Sequence, residues 1–203
     1  MKIAGAILAG GQGRRMGGID KPLADLAGRP LIAHVAARLA PQVDHLVINA
    51  NGDPARFAFL DLAVVPDRPG IGEGPLAGLA TMLARRHGAG DITHLATAPA
   101  DTPFLPHDLV ALLADALAHG GGDAIAVAAS AGRMHPVAAL WPVSLSRDLD
   151  SHLATDRKQS FMAFLEGRTV VAVNFAAPPD GPDPFLNVNT PDELAAAVVH
   201  ALR

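Results

Sequence analysis

The sequence lacks cysteine and tyrosine altogether, and it has only one tryptophan and seven phenylalanines among its 203 residues. Without cysteine, neither a disulfide framework nor a zinc site built on thiolates is possible. The scarcity of aromatic side chains argues against a stacking platform for single-stranded nucleic acid. Nine histidines are present, but none forms a His-Glu-x-x-His or another close ligand pair, so we expect no catalytic zinc or iron site.

Charge is also sparse, since charged residues make up 18% of the chain and the formal net charge is -4. This leaves no basic field for binding a nucleic-acid backbone, so any phosphate recognition must be local. No apolar run is long enough to cross a bilayer, and the opening apolar run does not lead to a cleavage site of small residues. We therefore expect a cytoplasmic protein with no nucleic-acid or membrane partner.

Short apolar segments alternate along the chain with segments of helical periodicity. The strand-like segments are Lys2 to Ala9, His45 to Ala50, Leu62 to Val65, Thr93 to Ala98, Asp123 to Ala129, Pro136 to Trp141 and Thr169 to Phe175. The helical segments are Pro30 to Leu39, Pro75 to Arg86, Pro106 to His119, Ser144 to Leu153, Ser160 to Gly167 and Pro191 to Leu202. This alternation predicts an α/β fold, a three-layer, Rossmann-like sandwich around a mostly parallel sheet, and the length predicts a single domain over 1–203.

In such sheets ligands bind beyond the carboxyl ends of the strands, and a glycine-rich segment, "LAGGQGRRMGGIDKP" (Leu8 to Pro22), follows the first predicted strand. Its glycines allow backbone N–H groups to face an anion, and its cations add charge. The glycines are Gly10, Gly11, Gly13, Gly17 and Gly18, and the cations are Arg14, Arg15 and Lys21. The segment predicts a triphosphate-binding loop, the alternative being a flexible turn with solvated cations. Its spacing fits neither the dinucleotide fingerprint nor the P-loop.

Further polar residues follow predicted strands or precede a predicted helix. Asp101 comes just after "THLATA" and is a candidate magnesium ligand, the alternatives being a helix N-cap or a solvated turn. Asn49 and Asp67 end two strands, where each is a candidate nucleoside contact or simply a loop cap. Asn187 and Asn189 have the same parity on an extended segment, so we expect them to face one side.

The motifs together resemble the nucleotidyltransferases of molybdenum cofactor synthesis, in particular the guanylyltransferases. The resemblance covers nearly the whole chain, although the segment from Ser144 to Arg168 carries no matching motif. Its motifs are the glycine-rich loop followed by "INAN", "VVPD", "GPLAGL", "APADTPFLP", "RMHPVAAL" and "FLNVNTPDEL". It implies that the phosphate of Mo-molybdopterin attacks the α-phosphate of GTP with the help of Mg²⁺, releasing pyrophosphate.

The resemblance also implies roles for individual residues. Asp101, as the metal ligand, is expected to act in catalysis with Lys21 and Arg15, whereas Arg14 pairs elsewhere or is exposed. Asn187 and Asn189 are expected to bind the pterin substrate, and His135 to pack near its pocket. The expected GTP contacts are Leu8, Ala9, Gly10, Gly11, Gly13, Lys21, Asn49, Asp67 and Asp101. The expected protein partners are transient ones that make or accept the cofactor.

Three functional alternatives follow from the resemblance. The guanylyltransferase is the first; a molybdopterin cytidylyltransferase or a sugar-phosphate nucleotidylyltransferase of the same fold is the second. The third is a catalytically silent nucleotide sensor, which would have no chemical reason to keep the metal carboxylate. The cytidylyl relatives carry Leu-Ala-Ala-Gly where this chain has Leu8 to Gly11. The missing methyl group at Gly10 leaves room for a purine, and Asp67 matches the N–H donors of guanine, so we expect a preference for GTP.

Overall fold

The computed structural model describes residues 1–10, 20–86, 91–118, 122–155 and 160–202. The strands are β1 (Ile3–Leu8), β2 (Asp25–Leu26), β3 (Arg29–Pro30), β4 (His45–Asn49), β5 (Val64–Val65), β6 (His94–Pro99), β7 (Ile125–Ser130), β8 (Arg133–Pro142) and β9 (Val170–Asn174). The helices are α1 (Leu31–Leu39), α2 (Pro75–Arg86), α3 (Leu109–Leu117), α4 (Ser146–Thr155), α5 (Phe161–Leu165) and α6 (Pro191–Ala201). Each strand and helix predicted from the sequence is present.

The large sheet in the described part of the chain has seven strands in the order β5-β4-β1-β6-β8-β7-β9. Strand β8 runs antiparallel to both of its neighbours, whereas the other pairs are parallel. The short strands β2 and β3 form a separate antiparallel hairpin. The predicted α/β fold with a mostly parallel sheet is therefore confirmed, while the hairpin and the reversed direction of β8 were not predicted.

Helices cover both faces of the sheet because successive residues of each buried strand point to opposite faces. In β1, Ile7 faces one layer of helices and Leu8 faces the other. Helices α1 and α3 pack on the first face and α2, α4 and α5 on the second. The buried helical side chains include Ile32, Val35, Leu109 and Leu113 on the first face, and Leu79, Leu83, Leu149 and Phe164 on the second. This is the expected three-layer arrangement.

One edge of the sheet collects the candidate functional residues. Parallel strands β1, β4, β5 and β6 all end there, and β8 begins there because it runs the other way. A register shift between β7 and β8 pairs Val127 with Ala139 but Ala128 with His135. Three residues of β8, Pro136 to Ala138, are therefore left out of the ladder with β7 as a bulge, a device that re-aims side chains next to functional sites.

Within the described residues, none of the helices combines the length and the apolar character needed to cross a membrane.

Candidate active site

A cleft of about 580 Å³ opens at this edge of the sheet. Residues that follow β1 and β6 line one side, and residues at the start of β8 and before α6 line the other. The described lining residues include Leu8, Ala9, Gly10, Lys21, Asp101, Thr102, Arg133, His135, Phe185, Asn187 and Asn189. The volume suits a ligand of the size of a nucleotide.

Lys21 and Asp101 meet in the cleft. Lys21 opens a short 3-10 turn with Pro22, and its Nζ donates hydrogen bonds to Asp101 Oδ2 and, at 2.6 Å, to Asn189 Oδ1. The Lys21 and Asp101 side chains are only 18% and 20% exposed. Because Lys21, Asp101 and Asn189 come from distant parts of the sequence, this contact joins the end of the glycine loop, the end of β6 and the segment before α6. Asp101 does not cap α3, whose N-cap is Asp108.

The two asparagines predicted to face one side both line the cleft. Asn187 Oδ1 accepts a 2.7 Å hydrogen bond from the hydroxyl of Thr102, a fully buried residue that the sequence did not single out. The backbone of Asn189 is also held in place, because its N–H donates to Glu193 Oε2 at 2.6 Å. Thr190 is the N-cap of α6 and forms a capping box with Glu193. The site is thus fixed to the helix that follows it.

Asn49 and Asp67 lie in one hydrogen-bond network. Asn49 is 1% exposed, and its Nδ2 donates to the Val65 carbonyl at 3.1 Å and to Asp67 Oδ1 at 2.9 Å. Asn51 Nδ2 donates to Asp67 Oδ2 at 2.8 Å, and Asn51 Oδ1 accepts from the Asp67 N–H at 2.9 Å. Two amides therefore orient one carboxylate. Among the described residues, neither Asn49 nor Asp67 lines the cleft.

Close packing with α2 fixes the Asn49 side chain as well. A Cβ built on Gly78 would lie 2.1 Å from Asn49 Oδ1 and 3.1 Å from Asn49 Cγ. The sequence motif "GPLAGL" contains this glycine, but its spacing alone did not show which residue Gly78 approaches. The buried amide of Asn49 is thus held between two acceptors on one side and a helix backbone on the other.

Arg56, which sequence reasoning missed, connects this network to Asp20. Its Nη1 pairs with Asp20 Oδ2 at 2.5 Å, and its Nη2 donates to the Asn51 carbonyl at 3.0 Å. The guanidinium also lies 4.5 Å from the centre of the Phe57 ring. Since Asp20 immediately precedes Lys21, Arg56 holds the end of the glycine loop in place beside the loop after β4.

A second polar cluster lies at the start of β8. Ser130 Oγ is 2.8 Å from His135 Nε2 and donates to the Asp183 carboxylate, with Oδ distances of 2.8 and 2.9 Å. The His135 ring stacks on Phe185 with centroids 4.7 Å apart. Burial lowers the pKa of His135; the carboxylate of Asp183 raises it and Arg133 lowers it. The net shift is downward, so His135 is neutral near pH 7. His135 lines the cleft; its position beside a pterin pocket stays a prediction.

Part of the glycine loop falls outside the described residues, namely Gly11, Gly13, Arg14, Arg15, Gly17 and Gly18. Gly10 is described, and it does not use the positive φ that glycine would allow there. No described atom lies within 4 Å of a Cβ added at Gly10. Among the described residues, therefore, no contact requires glycine at this position.

A mostly parallel α/β sheet with a cleft beyond the carboxyl ends of its strands places the protein in the doubly wound class, in which ligands bind at that edge. The model of the MobA-like NTP transferase domain family matches residues 5–170. Molybdenum cofactor guanylyltransferase from Rhodopseudomonas palustris (strain BisB5) is 49% identical over 201 residues, covering 97% of this chain and 93% of the relative. The enzyme of that name from Rhodobacter capsulatus is 51% identical over 198 residues, covering 97% and 95%.

Two solved structures are similar in fold. Molybdopterin-guanine dinucleotide biosynthesis protein A from Archaeoglobus fulgidus has a TM-score of 0.75 at 24% identity, covering 98% of each chain. A nucleotidyl transferase from Methanothermobacter thermautotroptrophicus has a TM-score of 0.74 at 18% identity, covering 100% of this chain and 98% of the other. By its sequence, the chain belongs to the molybdenum cofactor guanylyltransferase family, a family of nucleotidyltransferases.

Proposed function

We propose that this chain, acting as one domain over residues 1–203, transfers GMP from GTP to the phosphate of Mo-molybdopterin and releases pyrophosphate. The curated relatives carry the name of that activity. The structural observation that carries the proposal is the contact of Lys21 with both Asp101 and Asn189. It brings a candidate phosphate-binding cation, a candidate metal ligand and a candidate acceptor-site residue to one point of the cleft.

The order of the strands supports a two-sided site around that point. Along the sheet edge, Asp67 follows β5 and Asn49 is the last residue of β4. The glycine loop follows β1, and Asp101 follows β6. His135 lies beyond them on β8. In our proposal the nucleoside lies on the β4 side, the reacting phosphates at Lys21 and Asp101, and the pterin on the β8 side. The pterin phosphate would then reach the α-phosphate without crossing the nucleoside, and in-line displacement requires it to attack opposite the leaving pyrophosphate.

The chain needs to supply position and charge rather than a base. A phosphate monoester with a second pKa of about 6 is largely a dianion at neutral pH, so the attacking oxygen carries no proton to remove. Lys21 would bind the triphosphate as a point charge in place of its present contacts. Arg15, outside the described residues, is proposed to stabilise the same charge, and the N–H groups of the glycine loop, including Gly11 and Gly13, would face the phosphates.

A magnesium ion fits the residues present. Asp101 is the one carboxylate among the described residues of the cleft, and no group of three or more metal-binding side chains was found among the described residues. A single carboxylate suits Mg²⁺, which usually binds through one or two carboxylates plus substrate phosphates rather than through protein ligands alone. Asp101 would hold the ion, which would neutralise charge developing on the leaving pyrophosphate.

Asp67 is proposed to read the guanine base, with Leu8, Ala9 and Gly10 lying against it. A carboxylate accepts two N–H donors, which guanine offers and adenine and cytosine do not offer in the same arrangement. Because Asn49 and Asn51 both donate to Asp67, its two oxygens are held in a fixed direction. Asn49 then acts on the nucleotide through Asp67, which is compatible with its burial; its direct contact with GTP stays a prediction.

The test is a competition of GTP, ATP, CTP and UTP at equal concentration with Mg²⁺ and Mo-molybdopterin. Pyrophosphate release is followed, and the dinucleotide product is identified by mass. We expect the guanine product. A cytosine product would identify the cytidylyltransferase alternative, and nucleotide binding without pyrophosphate release would identify the sensor. Cytoplasmic location and transient contact with proteins that make or accept the cofactor stay predictions.

A further inference from the structure

The hydrogen-bond chain from Asp183 through Ser130 to His135 decides which histidine nitrogen carries the proton. An ionised carboxylate only accepts hydrogen bonds, and a serine hydroxyl has one proton to donate. Ser130 gives that proton to Asp183. His135 Nε2, 2.8 Å from Ser130 Oγ, must therefore be the donor of the remaining bond. The neutral ring then carries its proton on Nε2, and Nδ1 has a free lone pair.

The ring of His135 is also held in position. The Phe185 N–H donates to Asp183 Oδ1 at 2.7 Å. The Asp183 carboxylate therefore anchors both the hydrogen-bond chain to His135 and Phe185, the residue on whose ring His135 stacks. Ser130 is 2% exposed and Phe185 is 4% exposed, whereas His135 is partly exposed and lines the cleft. Among the described residues, no hydrogen-bond partner is found for His135 Nδ1. His135, a lining residue on the β8 side of the cleft, therefore carries an acceptor nitrogen on a ring held in position.

We propose that His135 is a specificity-determining residue that accepts, at Nδ1, a hydrogen bond from an N–H group of the pterin ring. This inference rests on the proposed function, because it requires the pterin on the β8 side of the Lys21–Asp101 contact. The chemistry selects the partner. A pterin ring has amine and ring N–H donors, whereas the phosphate and the oxo groups of a molybdenum centre offer acceptors, which an unprotonated Nδ1 would repel.

The principal test is His135→Phe, which keeps an aromatic ring to stack on Phe185 but removes both nitrogens. We expect KM for Mo-molybdopterin to rise about 10-fold, the ratio that corresponds to the loss of one hydrogen bond. KM for GTP should be unchanged, which a merely structural role would not produce. Ser130→Ala keeps the His135 ring but no longer fixes its proton on Nε2, so we expect a smaller rise of about 3-fold in KM for Mo-molybdopterin. His45→Phe, at an exposed residue on the opposite edge of the sheet, is the matched control.

A second measurement does not depend on turnover. Hydroxymethylpterin carries the ring N–H groups without a phosphate, and its fluorescence reports its binding. We expect the wild-type protein to bind it about 10-fold more tightly than His135→Phe, and His45→Phe to bind it as the wild type does. Failure of wild-type turnover together with His135-dependent pterin binding would overturn the proposed function and support this inference.

Normal turnover with an unchanged KM for Mo-molybdopterin in His135→Phe would overturn the inference alone. The same holds if hydroxymethylpterin binds His135→Phe as tightly as the wild type, or does not bind the wild type at all. An equal rise of both KM values in a variant that keeps the wild-type melting temperature would also overturn it. That result would place His135 in a contact common to both substrates.

Discussion

Replacing Gly78 with alanine tests the network that orients Asp67. The new Cβ would lie 2.1 Å from Asn49 Oδ1, well inside van der Waals contact, so either Asn49 or α2 must move. Asn49 is buried and donates to both Val65 and Asp67. Its displacement would lengthen or break both bonds and leave Asp67 with Asn51 as its amide donor.

The expected loss of unfolding free energy in Gly78→Ala follows from these contacts. Two hydrogen bonds are worth about 1 kcal/mol each, and overpacking a close contact costs about 1–3 kcal/mol. Alanine in a helix interior returns about 1 kcal/mol relative to glycine. The expected net loss is about 3 kcal/mol of unfolding free energy, which for a chain of this size lowers Tm by about 6–12 °C. KM for GTP should rise while KM for Mo-molybdopterin stays the same.

The assay combines thermal unfolding with pyrophosphate release under saturation by each substrate in turn. Gly122→Ala is the matched control, because nothing described lies within 4 Å of its added Cβ and its φ is not in the left-handed region. This control should melt and turn over as the wild type does. If Gly78→Ala also matches the wild type in Tm and in KM for GTP, then contact with Gly78 does not hold Asn49, and our account of how Asp67 is oriented is wrong.

Three further predictions concern the two ends of the cleft and its centre. Asp101→Ala should abolish pyrophosphate release yet retain GTP binding in calorimetry, since the metal acts most on the leaving group; near-normal turnover would refute the assignment. Asn187→Ala combined with Asn189→Ala should raise KM for Mo-molybdopterin and leave GTP affinity unchanged; an unfolded double variant would indicate a structural role instead. Gly10→Ala should keep the wild-type Tm and impair GTP use more than CTP use in kcat/KM, because no described atom lies within 4 Å of the added methyl group and our proposal places the guanine base against it; equal impairment would contradict base selection there.

The helices were predictable from their helical periodicity, and the strands of the large sheet from short apolar segments. The β2–β3 hairpin was not, since Asp25–Leu26 and Arg29–Pro30 do not lie in an apolar segment. Its turn is formed by Ala27 and Gly28, both with positive φ, and Ala-Gly lacks the asparagine or aspartate that usually marks such a turn. The reversed direction of β8 also left no local signal, because a buried apolar run looks the same in either direction.

The candidate site divides along similar lines. The cleft contains four of the candidate residues, namely Lys21, Asp101, Asn187 and Asn189. Their positions in the sequence, just after a strand or just before a helix, were enough to place them at this edge of the sheet. Their partners were missed because they depend on contacts between distant segments. Thr102 meets Asn187 across 85 positions of sequence, and Arg56 meets Asp20 across 36. Neither pair leaves a local pattern that could be read without the fold.

The β8 side of the cleft depends on strand register in a way that the β4 side does not. Asp67, Asn49 and Asp101 are at or just beyond the ends of parallel strands, where strand order alone brings them to one edge of the sheet. His135 instead lies beside Ser130 because a two-residue turn joins β7 to β8 and sets the register that pairs Ala128 with His135. Ala131 and Gly132 both have positive φ, as a tight hairpin turn requires. A slip of one residue would turn His135 to the opposite face of the sheet, so the turn positions this side chain.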